Sequence, residues 1–102
     1  MKNSILPVFL LAAVLTLPAA HGSLDRLNDS PRHQEWVNIP SNGRILKAFL
    51  VYPEVNRPVA AVIIIHENRG LTDWVRTVAD RLAEAGYLAI APDLLSGKGP
   101  NG

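Results

Sequence analysis

The chain has 102 residues, with ten Lys and Arg against nine Asp and Glu. Removing a hydrophobic leader of about 22 residues, which carries only Lys2, leaves a neutral remainder of about eighty residues with no basic cluster. That excludes a second domain, a complete enzyme of most α/β classes and an electrostatic reason to bind nucleic acid or anionic membranes. The absence of cysteine excludes disulfides, thiolate metal sites and a cysteine nucleophile within this chain.

Met1-Lys2-Asn3, the apolar run Ile5 to Leu17 and the small-residue stretch Pro18-Ala19-Ala20-His21-Gly22 have the order of a secretory signal. Ala20 and Gly22 place cleavage before Ser23, so residues 1–22 read as a signal peptide and the mature protein as secreted or periplasmic. A membrane-spanning helix needs about 20 apolar residues. This run is shorter, so no stable membrane anchor is expected.

Residues 23–32 are polar, aperiodic and broken by Pro31, which predicts a flexible lead-in. Residues 33–39 predict a strand around Trp36 and Val37. Pro40-Ser41-Asn42-Gly43 predicts a turn, because Asn-Gly tolerates positive φ. A second strand over 44–52, with Ile45, Ala48, Leu50 and Tyr52 facing a partner, completes a β-hairpin. The apolar, β-branched run 59–65 does not alternate, which predicts a strand covered on both faces of a parallel sheet. Residues 73–85 predict a helix with Trp74, Val75, Val78, Leu82 and Ala85 inward, Thr72 or Asp73 capping its start and Gly86 terminating it. Residues 87–91 predict a second buried strand, stopped by Pro92-Asp93, and the tail from Ser96 predicts a loop. The expected architecture is α/β: a β-hairpin followed by a βαβ unit, with a right-handed crossover.

Ligands of open α/β sheets bind beyond the carboxyl ends of the strands. Here those ends carry His66-Glu67-Asn68-Arg69-Gly70 and Pro92-Asp93-Leu94-Leu95-Ser96. The first lacks the second histidine of H-E-x-x-H and follows a strand, which argues against zinc. Ser96-Gly97-Lys98-Gly99 does not fit the phosphate-binding loop pattern. None of the five serines lies in a G-x-S-x-G elbow, so no nucleophile is visible. Asp93, after a proline, reads as a turn cap, and Arg69 as solvent-facing or directed at an anionic substrate.

The segments Ala-Phe-Leu-Val-Tyr-Pro (48–53), Val-Ile-Ile-Ile-His-Glu-Asn-Arg-Gly-Leu (62–71) and Val-Ala-Asp-Arg-Leu-Ala-Glu-Ala-Gly-Tyr-Leu-Ala-Ile-Ala-Pro-Asp-Leu (78–94) resemble the start of a dienelactone hydrolase (carboxymethylenebutenolidase). The resemblance covers about residues 33–102. It implies the N-terminal part of an α/β-hydrolase fold, truncated before the nucleophile elbow and before the family's Asp and His. Catalytic parts are implied for Glu67, in activating the nucleophile, and for the backbone N–H of Asn68, in the oxyanion hole. Gly70 permits the tight backbone there, and Arg69 is a candidate substrate-binding residue. The family usually has bulky apolar residues at the positions of Asn68 and Arg69, which bears on substrate preference. The implied partner is a small-molecule ester or lactone, with no cofactor and no metal. The competing expectation is a small secreted binding module without catalysis.

Overall fold

The computed structural model describes residues 22–99; the leader segment 1–21 and the last three residues lie outside the described part. Six elements follow one another: α1 (Ser23–Asp29), β1 (Gln34–Ser41), β2 (Arg44–Val51), β3 (Ala61–Ile63), α2 (Asp73–Glu84) and β4 (Leu88–Asp93). The strands form one sheet in the order β1-β2-β4-β3. β1, β2 and β4 pair antiparallel in succession, and β3 lies parallel to β4.

The hairpin forms where the sequence predicts it. Asn42 and Gly43 both take positive φ, +49° and +76°, which suits a two-residue connection between twisted strands. The turn is shorter than expected, because Pro40 and Ser41 stay in β1 opposite Ile45 and Arg44. β1 is a sheet edge, where a proline's missing N–H costs no ladder bond.

Helix α2 carries the packing. Thr72 caps it by accepting a hydrogen bond from the Val75 N–H. At its other end Gly86 takes a φ of +103°, the Gly86 N–H bonds the Ala83 carbonyl and the Tyr87 N–H bonds the Leu82 carbonyl. This is the Schellman arrangement that closes a helix with glycine. Ala79 and Ala83 are small enough to let the helix lie close to Ala89 and Ala91 of β4, beside Phe49 and Val51 of β2.

Several expectations are corrected. Residues 23–29, expected as a flexible lead-in, form α1, because Leu27 is buried in the core and the helix packs on α2. In β2, Ala48 is buried as expected, but Ile45 is exposed and the residues packed on α2 are Phe49 and Val51: alternation turns these two toward α2 and Leu50 toward the opposite face. β3 is shorter than the apolar run 59–65 and is not covered on both faces. Ile63 is 67% and Ile65 73% exposed, because both helices lie on the other face of the sheet. β4 runs on through Pro92 and Asp93 rather than stopping at residue 91. On α2, Trp74 is 62% exposed instead of inward, and Asp80 is buried instead of solvated.

Asp80 is buried because it is fully partnered. Its carboxylate accepts from Ser30 Oγ (2.6 Å), Arg32 Nη2 (2.7 Å), Arg32 Nε (3.1 Å) and Gln34 Nε2 (3.1 Å). Burial pushes its carboxyl pKa up, but the hydrogen bonds from Arg32, Ser30 and Gln34 prevail and hold it below the ordinary carboxylate value. The same bond raises the Arg32 guanidinium. This network fastens the segment between α1 and β1 to the middle of α2.

Candidate active-site rim

The sheet order brings three chain segments to one rim. β3 and β4 are parallel, so the residues following each emerge at the same end. β2 runs antiparallel to β4, with Lys47 opposite Asp93, so the start of β2 reaches that end as well. The two segments singled out in the sequence, 66–70 and 92–96, therefore meet.

After β3 the chain folds into a tight turn. The Gly70 N–H donates to the Glu67 carbonyl at 3.1 Å, leaving Asn68 and Arg69 at the centre. Gly70 takes a φ of +81°, and a Cβ built there would lie 3.1 Å from Leu95 Cδ1. Glycine is thus required twice, for the left-handed backbone and for the close approach of the β4 segment. Among the described residues, the Asn68 N–H, the Arg69 N–H and the Glu67 carboxylate take no hydrogen-bond partner. All three residues are exposed.

His66 crosses between the two segments. Its Nδ1 lies 2.6 Å from the Glu67 carbonyl, and its Nε2 accepts from the Leu94 N–H at 2.9 Å. Its side chain is 5% exposed, with Asp93 Oδ1 at 3.8 Å. Asp93 also accepts from the Leu95 N–H at 3.1 Å, the turn-capping contact expected of it. Ser96, which is buried, accepts from the Lys47 N–H at 3.0 Å and donates to the Asp93 carbonyl at 2.6 Å. Arg44 Nη2 donates to the Leu94 and Ser96 carbonyls.

Glu67, Arg69, Gly70, Thr72, Trp74 and Val75 line a depression of about 320 Å³. Trp74 reads as a core residue in the sequence because its helical spacing matches the apolar stripe, yet it lines this depression. Its place in the first turn of α2, directly after the rim, is the signal that separates it from Val75 and Ala79. A larger depression, about 660 Å³, lies at the opposite end of the sheet between His33, Tyr52, Arg57 and Leu88. There Glu35 accepts from Tyr52 (2.8 Å) and lies 3.0 Å from His33 Nε2. His33 and Tyr52 hold the Glu35 carboxyl below its ordinary range, and Glu35 raises the Tyr52 phenol. The smaller depression holds the turn at the carboxyl end of β3, the end at which open α/β sheets bind ligands. Among the described residues, no three His, Asp or Glu side chains gather as metal ligands.

These features define an α/β protein with a candidate ligand rim beyond the carboxyl ends of its parallel strands. The sequence model of the dienelactone hydrolase family matches residues 46–102. The chain belongs to that family. A protein of Escherichia coli K12, provisionally named as a hydrolase fragment, is 44% identical over 68 residues, which are 64% of this chain and 58% of that protein. A protein of Saccharolobus solfataricus, provisionally named a carboxymethylenebutenolidase, is 48% identical over 54 residues, 53% of this chain and 20% of its own length. Among solved structures, a provisionally named dienelactone hydrolase from Klebsiella pneumoniae superposes with a TM-score of 0.61 at 35% identity. That match covers 67% of this chain and 29% of the other. The chain thus spans 58% of the first of these relatives and less than a third of the other two.

Proposed function

We propose that residues 23–102 are the N-terminal part of a secreted or periplasmic hydrolase that cleaves ester or lactone bonds through an acyl-enzyme. The nucleophile comes from residues outside this chain, since no cysteine and no serine elbow occurs within it. The nucleophile adds to the acyl carbon, and the carbonyl oxygen becomes a tetrahedral oxyanion. The Asn68 N–H donates to that oxygen, and the Glu67 carboxylate supports deprotonation of the nucleophile. Collapse expels the alkoxide, which in a lactone opens the ring, and water then releases the acid. Arg69 and Trp74 meet the substrate beside them.

The observation that carries this reading is the Glu67–Gly70 turn at the end of β3. Among the described residues it leaves two backbone donors, the Asn68 and Arg69 N–H groups, and the Glu67 carboxylate unpartnered at the same rim, in a chain of this hydrolase family. A signal peptide over residues 1–22, cleaved near Gly22-Ser23, supports the location. The coding sequence beyond Gly102 tests the reading. It is expected to encode a G-x-C/S-x-G elbow followed by an Asp and a His, and a continuation without the elbow would overturn it.

A further inference from the structure

His66, whose buried side chain bonds to both rim segments, has no part in the proposed reaction. Its bonding fixes its state. The Leu94 backbone N–H is a donor, so Nε2 must be bare to accept it at 2.9 Å. The ring proton is then on Nδ1, which donates to the Glu67 carbonyl at 2.6 Å. The same carbonyl accepts the Gly70 N–H that closes the turn. His66 therefore joins the carbonyl that defines the turn to the backbone of the segment after β4.

That segment is itself fixed. Ser96 ties it to the Lys47 N–H, and Arg44 ties its Leu94 and Ser96 carbonyls to the start of β2. Without His66, the turn after β3 would be held to this frame by the contact of Gly70 with Leu95. β3 spans three residues at the sheet edge, and the last backbone ladder bond before the rim is Ile64 N–H to the Ile90 carbonyl.

From this geometry we infer that His66, in its neutral Nδ1–H form, is the positioning residue of the Glu67–Gly70 turn. It sets the placement of the Asn68 N–H and the Glu67 carboxylate relative to the β4 rim. The inference deepens the proposed function and rests on it for its catalytic consequence; the latch stands on the hydrogen bonds alone. His66 does not touch the reacting atoms. Its effect belongs in the turnover step, because an oxyanion donor displaced by a fraction of an ångström stabilises the transition state less while substrate still binds.

The test uses the whole gene product labelled with 15N-histidine. A long-range proton–nitrogen spectrum should show His66 protonated at Nδ1 and bare at Nε2, assigned by its loss in His66→Gln. The Leu94 amide should exchange slowly in the wild type and at least tenfold faster in His66→Ala. Against a simple aryl ester, His66→Ala should lower kcat about 10- to 100-fold, with KM moving less than about threefold. His66→Gln should recover most of that loss, because its Oε1 can still accept from Leu94. An Nε2–H tautomer or an imidazolium in the wild type would overturn the inference. So would an unchanged Leu94 exchange rate in His66→Ala, or a glutamine variant no better than alanine. Should the wild type hydrolyse no ester or lactone, the proposed function fails, while the tautomer and the exchange rate still decide the latch. Should His66→Ala not fold, the wild-type tautomer decides it.

Discussion

Replacing Gly70 with alanine tests how the rim is held, and Gly43 supplies a matched control. The two glycines have nearly the same φ, +81° and +76°, in the left-handed range where an added Cβ is strained at either position. A left-handed alanine costs about 1–2 kcal/mol, and the stiffer unfolded chain returns part of this, leaving about 1 kcal/mol net. At Gly43 nothing lies within 4 Å of the added Cβ, so strain is the whole effect. At Gly70 the Cβ meets Leu95 Cδ1 at 3.1 Å. Leu95 is half-buried and must shift a few tenths of an ångström, which adds about 1 kcal/mol of overpacking. Urea denaturation should therefore give a loss of about 1 kcal/mol for Gly43→Ala and about 2 kcal/mol for Gly70→Ala. Combining Gly70→Ala with Leu95→Ala should show a favourable coupling of about 1 kcal/mol, since the truncated side chain no longer meets the new methyl group. Equal losses for the two glycines, with no coupling to Leu95, would refute the claim that the turn is packed on the segment after β4.

The remaining predictions concern the core, the buried carboxylate, the depression and the leader. Phe49→Ala removes the largest fully buried side chain and should cost about 3–4 kcal/mol in urea denaturation. Asp80→Asn should cost about 2 kcal/mol near neutral pH, because Arg32 loses its charged partner at a site where neither side chain is more than 17% exposed. The Asp80 pKa is lowered on folding, so its contribution is present above the ordinary value of 3.8 and is lost as pH falls through the lower folded value. Wild type and Asp80→Asn should draw together only as pH falls below 3.8 and through the lower folded value, and a gap that stays unchanged as the carboxyl becomes protonated would contradict this. Trp74→Ala should leave the melting temperature almost unchanged, as expected of an exposed side chain. In the whole protein it should raise KM for an ester about three- to tenfold. N-terminal sequencing of exported protein should begin at or within two residues of Ser23.

The elements with strong local signals were legible in the sequence: the Asn42-Gly43 hairpin, α2 with its Thr72 cap and Gly86 stop, and the βαβ order that brings residues 66–70 and 92–96 to one rim. What escaped the sequence depended on tertiary partners. Leu27 is a lone apolar anchor in a polar stretch, and α1 forms only because α2 offers it a surface. Asp80 has the sequence look of a solvated helical carboxylate, and its burial depends on Ser30, Arg32 and Gln34 from a distant segment. Ile63 and Ile65 read as buried on both faces, but burial depends on what covers the sheet, and both helices lie on the other side. Within the site, the place of residues 66–70 after a strand marks the rim, while the parts proposed for Glu67 and Asn68 come from the family resemblance. The role of His66 did not, because its partner Leu94 is 28 residues away and bonds through its backbone.

The proposed function has this rim serve an acyl-transfer reaction. Rapid quench of the whole gene product during turnover of an acetyl ester, followed by intact-mass measurement, tests it most directly. A protein species carrying one acetyl group is expected, formed in a burst, with its rate of formation strongly reduced in Glu67→Gln. Ester turnover without any acylated protein, or acylation as fast in Glu67→Gln as in the wild type, would contradict it.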